Sequence, residues 1–324
     1  YNVAMTSDTV SVVKLHNKPL NSWILPNSDG KGYGEFYPDS LSLQILLSSS
    51  LVIKDNLTRA SWFIMLNELF LNNKVDPDKY YSYLISNLSR ETEPQTRQYL
   101  LNALELVWWK FFSPEQRKMN SKHIESSIFQ LLHSKDINDN ERRPIFWTFT
   151  RIATTPEAQE QLFKFWSDKN QIRGVTLDEL DYMVLAYELA VRDFGNTDSI
   201  LIAQESRIKN SDRLAKFRFI KRAVSPYSAV RDSFFHSLSD SKNRRPEPWV
   251  TEALHYFHHP LRAEFSVKYL ESALDLLPEI QRTGDIFFPK SWLDVTLWGY
   301  RSKKAYQIVD DWLKDNPKLP KPLR

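Results

Sequence analysis

The sequence predicts an all-α fold: an irregular HEAT- or armadillo-like α-α superhelix, a solenoid, with a short β lead-in at the N-terminus. Three observations carry this reading. Glycine is scarce, seven in 324 residues, and none lies between Glu35 and Arg173. Apolar residues recur at helical spacing: Leu100, Leu104, Val107 and Phe111, then Leu180, Val184, Tyr187 and Val191. Helix starts are written in capping chemistry, with a hydroxyl or carboxylate, a proline and a side chain that reaches back.

The elements follow in order. TVSVVKLH (9–16) alternates polar and apolar residues, and SWIL (22–25) is a second short apolar run; both read as strands. Three glycines cluster in NSDGKGYGEFYPD (27–39) and mark a boundary. The predicted organisation is therefore a β segment and junction over 1–38 and a helical domain over 39–324. WFIMLNELFL (62–71) reads as a buried helix. Ser113-Pro114-Glu115-Gln116 and Thr176-Leu177-Asp178-Glu179 read as capping boxes, the second closed by Glu179. Pro77, Pro94, Pro156, Pro226, Pro260 and Pro289 read as helix openers, where fixed φ and a missing N–H cost nothing. About fourteen helices of ordinary length fit the chain. Leu100, Leu101, Trp108, Trp109, Phe111 and Phe112 cannot share one face, so their helix must pack between two layers. No fixed period is visible, and the repeats are irregular.

Near the end, residues 261–282 read as one long helix with Leu270, Leu274 and Leu277 on its buried side. Arg282-Thr283-Gly284-Asp285 reads as its stop, with Gly284 free to take the left-handed cap. Ile286, Phe287 and Phe288 then cross apolar surface, and Pro289 opens the next helix.

Composition bounds the partners. The net charge of +3 is small, and no Lys/Arg block occurs, which argues against nucleic acid. No apolar run reaches membrane-spanning length, so no membrane insertion is expected. Cysteine is absent, which removes disulfides, thiolate metal sites and cysteine nucleophiles; it leaves the compartment open. The chain opens on Tyr1 and reads as part of a longer protein.

Catalytic motifs are missing. There is no H-E-x-x-H, no G-x-S-x-G elbow and no phosphate-cradling glycine loop; GKGYG (30–34) has the wrong spacing. His123-Ile124-Glu125 lacks the two cysteines a deaminase would need. His255, His258 and His259 share a helical face and could hold a metal. The structural reading is preferred: Pro260 ends that helix, no acidic ligand is close in sequence, and histidine suits a helix C-terminus. The many aromatics read as core. Arg142-Arg143 and Arg244-Arg245 read as solvated loop ends, with carboxylate capture as the functional alternative if arginines line a concave face.

Four stretches resemble a known family. EIQRTGDIFFPKSWL (279–293) and HHPLRAEFSVKYLESALDLLP (258–278) are similar to the C-terminal domain of zinc aminopeptidases, the aminopeptidase N-like gluzincins, and most to their bacterial branch. ILPNSDGKGYGEFYPD (24–39) resembles the junction between that family's small β-sandwich and its helical domain, and LTRASWFIMLNELFLNNKVDPDKYYSYL (57–84) resembles the early helices. Glu35 departs from the pattern, standing where the family often has arginine. The zinc motif and the G-A-M-E-N type loop are absent.

The resemblance implies a non-catalytic C-terminal domain, residues 1–38 being a remnant of the preceding β-sandwich and the junction. Such a domain caps the catalytic chamber and helps to select peptide substrates. Its partners would be the catalytic domain of the same polypeptide and peptides. The fragment would carry no cofactor, zinc being expected in the missing catalytic domain. Arg262, Arg282, Asp285 and Lys290 are the candidate contacts to that domain or to peptide; no catalytic or metal-ligating residue is assigned. The alternative is a free-standing helical-repeat scaffold that binds a protein partner. A third reading, an independent hydrolase built on the histidine cluster, ranks last.

Overall fold

The computed structural model describes residues 3, 9–13, 16, 23–48 and 53–319. The described residues are helical, joined by turns and short loops, and contain no strand. Of the two predicted strands, Thr9–Val13, His16 and Trp23–Leu25 lie outside any strand, while Lys14, Leu15 and Ser22 fall outside the described residues. No helix among the described residues is long and apolar enough to cross a membrane. The first helix begins at Ser40, close to the predicted 38/39 boundary, but compactness divides the chain later, into Tyr1–Thr96 and Arg97–Arg324.

In the first unit, α1 (Ser40–Ser48), α2 (Asn56–Leu71) and α3 (Pro77–Leu88) form. Asp55 and Asp76 cap α2 and α3 by accepting from backbone N–H groups two or three residues on, and Pro77 opens α3. WFIMLNELFL is largely buried as predicted, with Ile64 and Leu71 turned outward. Trp62 donates its indole N–H to Tyr83 Oη at 2.7 Å, and Phe70 stacks on Tyr80 at 4.4 Å. Aromatic pairing of this kind adds to area burial.

The second unit holds α4 from Arg97 on (Pro94–Leu106), α5 (Pro114–His133), α6 (Asp139–Ile152), α7 (Pro156–Trp166), α8 (Glu179–Val191) and α9 (Thr197–Arg207). It continues with α10 (Ser211–Val224), α11 (Ser228–Ser237), α12 (Glu247–Phe257), α13 (Ala263–Ser266), α14 (Leu270–Asp275), α15 (Leu277–Thr283), α16 (Phe288–Leu297) and α17 (Lys303–Asp315). α6, α8, α10, α12 and α16 touch in succession as one layer; α5, α7, α9 and α11 each lie against an even-numbered neighbour. A helix in such a layer is covered on more than one side. α8 shows this: Met183, Leu185, Ala186, Tyr187, Leu189, Ala190 and Val191 are all buried. α4 runs into a π-helical turn, Val107–Phe111, which buries both Trp108 and Trp109.

The capping chemistry is only partly as predicted. Ser113 and Gln116 form the expected box on α5. The start of α8 differs: Asp178 is the cap and Asp181 reaches back, while Glu179 accepts from the Lys209 N–H at 2.9 Å. Pro226 stands before the α11 cap, Tyr227, rather than in the first turn.

Helix C-termini are closed by buried arginines. The last carbonyls of a helix have no intrahelical donor, and a guanidinium offers five N–H groups in a fixed fork. Arg142 donates to the carbonyls of Leu132, Ser134 and Ile137 after α5. Arg192 donates to Thr150, Arg151 and Ala153 at the end of α6. Arg244 donates to Leu238 after α11 and pairs with Glu279. Arg142 and Arg244 are thus 4% and 2% exposed rather than solvated loop ends. Their neighbours join segments too: Arg143 binds Asp181, and Arg245 donates to the Thr283 carbonyl.

The predicted long helix over 261–282 is instead a series of short turns. Pro260–Arg262 and Val267–Tyr269 are 3₁₀, separated by α13, and α14 and α15 follow. Arg262 leaves helical geometry at φ −115°, ψ 8°. Pro278 lacks the N–H that would continue α14, and its ring opposes the carbonyl four residues back; α14 accordingly ends at Asp275. Leu270, Leu274 and Leu277 are buried as expected. Gly284 does cap α15, its N–H donating to Ile280 O at 2.8 Å, but at φ −88° and ψ 172° rather than in the left-handed region. Glycine is required there for space: an added Cβ would stand 2.8 Å from both Ile280 O and Phe288 Cδ1.

Candidate functional site: a C-terminal corner and an arginine-lined cleft

The four candidate contact residues separate into two groups. Arg282, Asp285 and Lys290 are exposed around the turn from α15 to α16. Asp285 shapes that turn: its N–H donates to Glu247 Oε1 at 3.0 Å, and its Oδ1 accepts from the Phe287 N–H at 3.0 Å. Lys290 pairs with Asp294 one turn along α16. Between them Ile286 and Phe287 are 83% and 74% exposed, so of the predicted apolar crossing only Phe288 is buried. Phe287 also borders an open cleft of ≈ 710 Å³ with Glu247, Thr251, His255 and Ser291.

Arg262 lies apart from that corner. It is 6% exposed, and its guanidinium donates to Ala190 O (2.6 Å), Val191 O (3.4 Å) and Ser225 O (3.3 Å) and pairs with Asp193 Oδ1 (2.7 Å). It closes the ends of α8 and α10, and it forms part of the floor of a second cleft.

His258 and His259 are packed as core, with His255 half-buried beside them. His255 stacks on Trp298 at 4.1 Å, with the Trp298 indole N–H donating to the His255 carbonyl. His258 Nδ1 meets Tyr300 Oη at 2.5 Å. His259 Nδ1 accepts from the Leu261 N–H, and its ring stands edge-on to Trp109 and Trp298. Burial pulls His255 down to about 4 and His258 to about 3, and holds His259 well below its ordinary value. With His258 Nδ1 and His259 Nδ1 turned to hydrogen-bond partners and His255 stacked face to face, the rings do not converge as donors on one metal position. No group of three or more His, Cys, Asp or Glu able to hold a metal occurs among the described residues.

The second cleft, ≈ 920 Å³, was not legible in the sequence. Its wall carries Arg117, Arg231, Arg262, Arg301 and Lys304 against two carboxylates, Asp193 and Glu264. Arg117 donates to Phe112 O at 2.7 Å and lies over the Trp109 ring at 5.2 Å. Arg231 donates to Ser225 O at 2.5 Å and lies over the Phe265 ring at 4.2 Å. Burial first, then the like charge of Arg301, pull Arg117 down to about 10. Burial likewise pulls Arg262 down to about 10, opposed by Asp193 and assisted by Arg231. Both guanidiniums remain cationic at neutral pH. No spacing rule joins Arg117, Arg231 and Arg301, which come from three separate parts of the chain; only the fold brings them to one wall.

No protein-family model matches the chain, and no curated protein matches it.

Proposed function

We propose that this chain is the non-catalytic C-terminal helical domain of a zinc-dependent aminopeptidase of the aminopeptidase N-like gluzincin family. In this reading it caps the catalytic chamber and helps to select peptide substrates. The zinc belongs to a catalytic domain elsewhere in the same polypeptide. The helical layers of the second unit then form an irregular HEAT- or armadillo-like superhelix, and the segment before residue 39 is the end of a β-sandwich.

The observation that carries the reading is the corner within EIQRTGDIFFPKSWL. A tight turn shaped by Asp285 holds Ile286 and Phe287 out in solvent, flanked by Arg282 and Lys290. Apolar side chains with a charged rim are what a docking surface presents. The packing of α6, α8, α10 and α12 in one layer, with odd-numbered helices against them, supports the superhelix.

The test is the whole protein. The reading frame upstream of Tyr1 should encode H-E-x-x-H with a downstream glutamate. The full-length enzyme with zinc should cleave aminoacyl fluorogenic substrates, and this chain alone should not. A full-length protein that lacks the motif and is inactive with zinc overturns the proposal and leaves a free-standing interaction scaffold. An active chain without the upstream part overturns it as well.

A further inference from the structure

The arginine-lined cleft carries an inference independent of the peptidase reading. Arg117, Arg231, Arg301 and Lys304 border one concavity, and none of them forms an ion pair with a carboxylate among the described residues. Arg231 is 9% exposed, and its Nε has no hydrogen-bond partner. A buried guanidinium donor without an acceptor is costly. Of the two carboxylates on the wall, Asp193 is already paired with Arg262.

Helix polarity adds to the positive potential. Ser113, the cap of α5, and Ser302, the cap of α17, both border the cleft, so two helix N-termini open onto it. The first turn of α17 holds Lys303 and Lys304 and no acidic residue. Cations at a helix N-terminus oppose the dipole, where an anion is favoured. The two lysines at the start of α17 are therefore unfavourable by themselves and are relieved by a bound anion, whereas the first turn of α5 already carries Glu115.

The shape limits what that anion is. A concavity of ≈ 920 Å³ is of small-molecule size. Guanidinium forks match the paired oxygens of phosphate and carboxylate. Arg117 and Arg231 are held in place by backbone carbonyls and by aromatic rings, which preorganises them. The excess of cations over carboxylates on the wall favours more than one negative charge.

We propose that this cleft is a binding site for a small multivalent oxyanion, a phosphate or polycarboxylate, held by Arg117, Arg231 and Arg301 at the N-termini of α5 and α17.

Isothermal titration of the chain with inorganic phosphate, and separately with citrate, in buffer matched to sodium chloride of equal ionic strength, tests this. Saturable one-to-one binding of either anion is expected. Phosphate alone identifies a phosphate site, citrate alone a polycarboxylate site, and both a general oxyanion site. The double variant Arg301→Gln/Lys304→Gln removes two exposed side chains and should fold as the parent does; it should weaken binding about tenfold or more. A control that removes the same charge elsewhere, Lys135→Gln/Lys242→Gln, should bind as the unaltered chain. Absence of saturable binding by both anions overturns the proposal. So does unchanged affinity in the Arg301/Lys304 variant, or equal weakening in the control.

Discussion

The backbone of Gly299 runs so close to the carbonyl of His258 that a Cβ on Gly299 would stand 1.8 Å from that oxygen. The obstacle is main chain, which cannot swing aside. Replacing Gly299 by Ala should therefore destabilise the chain by about 3 kcal/mol or more, at the upper end of overpacking costs. Gly284→Ala, whose Cβ would meet one carbonyl and one ring carbon at 2.8 Å, should cost about 1–3 kcal/mol. Urea unfolding of both variants measures the difference; a Gly299→Ala variant as stable as the parent contradicts the close approach.

Acid should unfold the protein through its histidines. Burial keeps His255, His258 and His259 neutral, with folded values of about 4 and about 3 for the first two. Their unfolded pKa is near 6.5. Folded pKa values below the unfolded one mean that the unfolded chain binds more protons between the two. Stability is full above about 6.5 and falls with pH from there toward the folded values, by up to about 1.4 kcal/mol per pH unit for each histidine. Urea midpoints taken at about pH 7.5 and about pH 5.5 should differ accordingly. Equal midpoints would mean that these rings can charge in place.

Arg262 and Arg282 should respond oppositely to substitution. Arg262→Met removes the guanidinium bonds to the carbonyls of Ala190, which keeps the Asp193 N–H, and of Val191, and leaves Asp193 without its ion pair; it should cost about 2–4 kcal/mol. Arg282 is exposed, and Arg282→Ala should change stability by less than about 0.5 kcal/mol. Chemical denaturation of the isolated chain decides this. Within the full-length enzyme, unchanged kinetics of Arg282→Ala on long peptides would remove that residue from the docking role.

Ile286 and Phe287 are exposed in this chain, so Ile286→Ser/Phe287→Ser should leave its melting temperature unchanged. In the full-length protein the same pair should loosen the contact between domains, read as faster proteolysis at the junction. Equal proteolysis of parent and variant would remove the corner from the interface.

Helices and several of their starts were legible because their signals are local. Ser113 and Gln116 lie three residues apart, and Pro77 and Pro156 stand where first-turn prolines belong. Asp178 and Asp181 were missed because Thr176 and Glu179 offer the same three-residue pattern two positions earlier; only the fold shows that Glu179 is drawn to Lys209. Buried arginines were illegible for a physical reason. The carbonyls they satisfy have no sequence signature, and Arg262 meets Ala190 across 72 positions. The oxyanion cleft shares that cause, since its cations are contributed by distant segments. The exposed corner was half legible: Arg282, Asp285 and Lys290 read as surface, but Ile286 and Phe287 read as buried because apolar residues usually are.

The buried arginines described at helix ends have a common direction. Arg117, Arg142, Arg192, Arg244 and Arg262 each follow in the chain the carbonyls they bind. During synthesis each of these helix ends therefore emerges from the ribosome before its guanidinium exists. α6 waits for residue 192 and α8 for residue 262 before their last turns are saturated. A nascent chain halted between those points lacks the guanidinium that its last-made helix end accepts from in the finished fold.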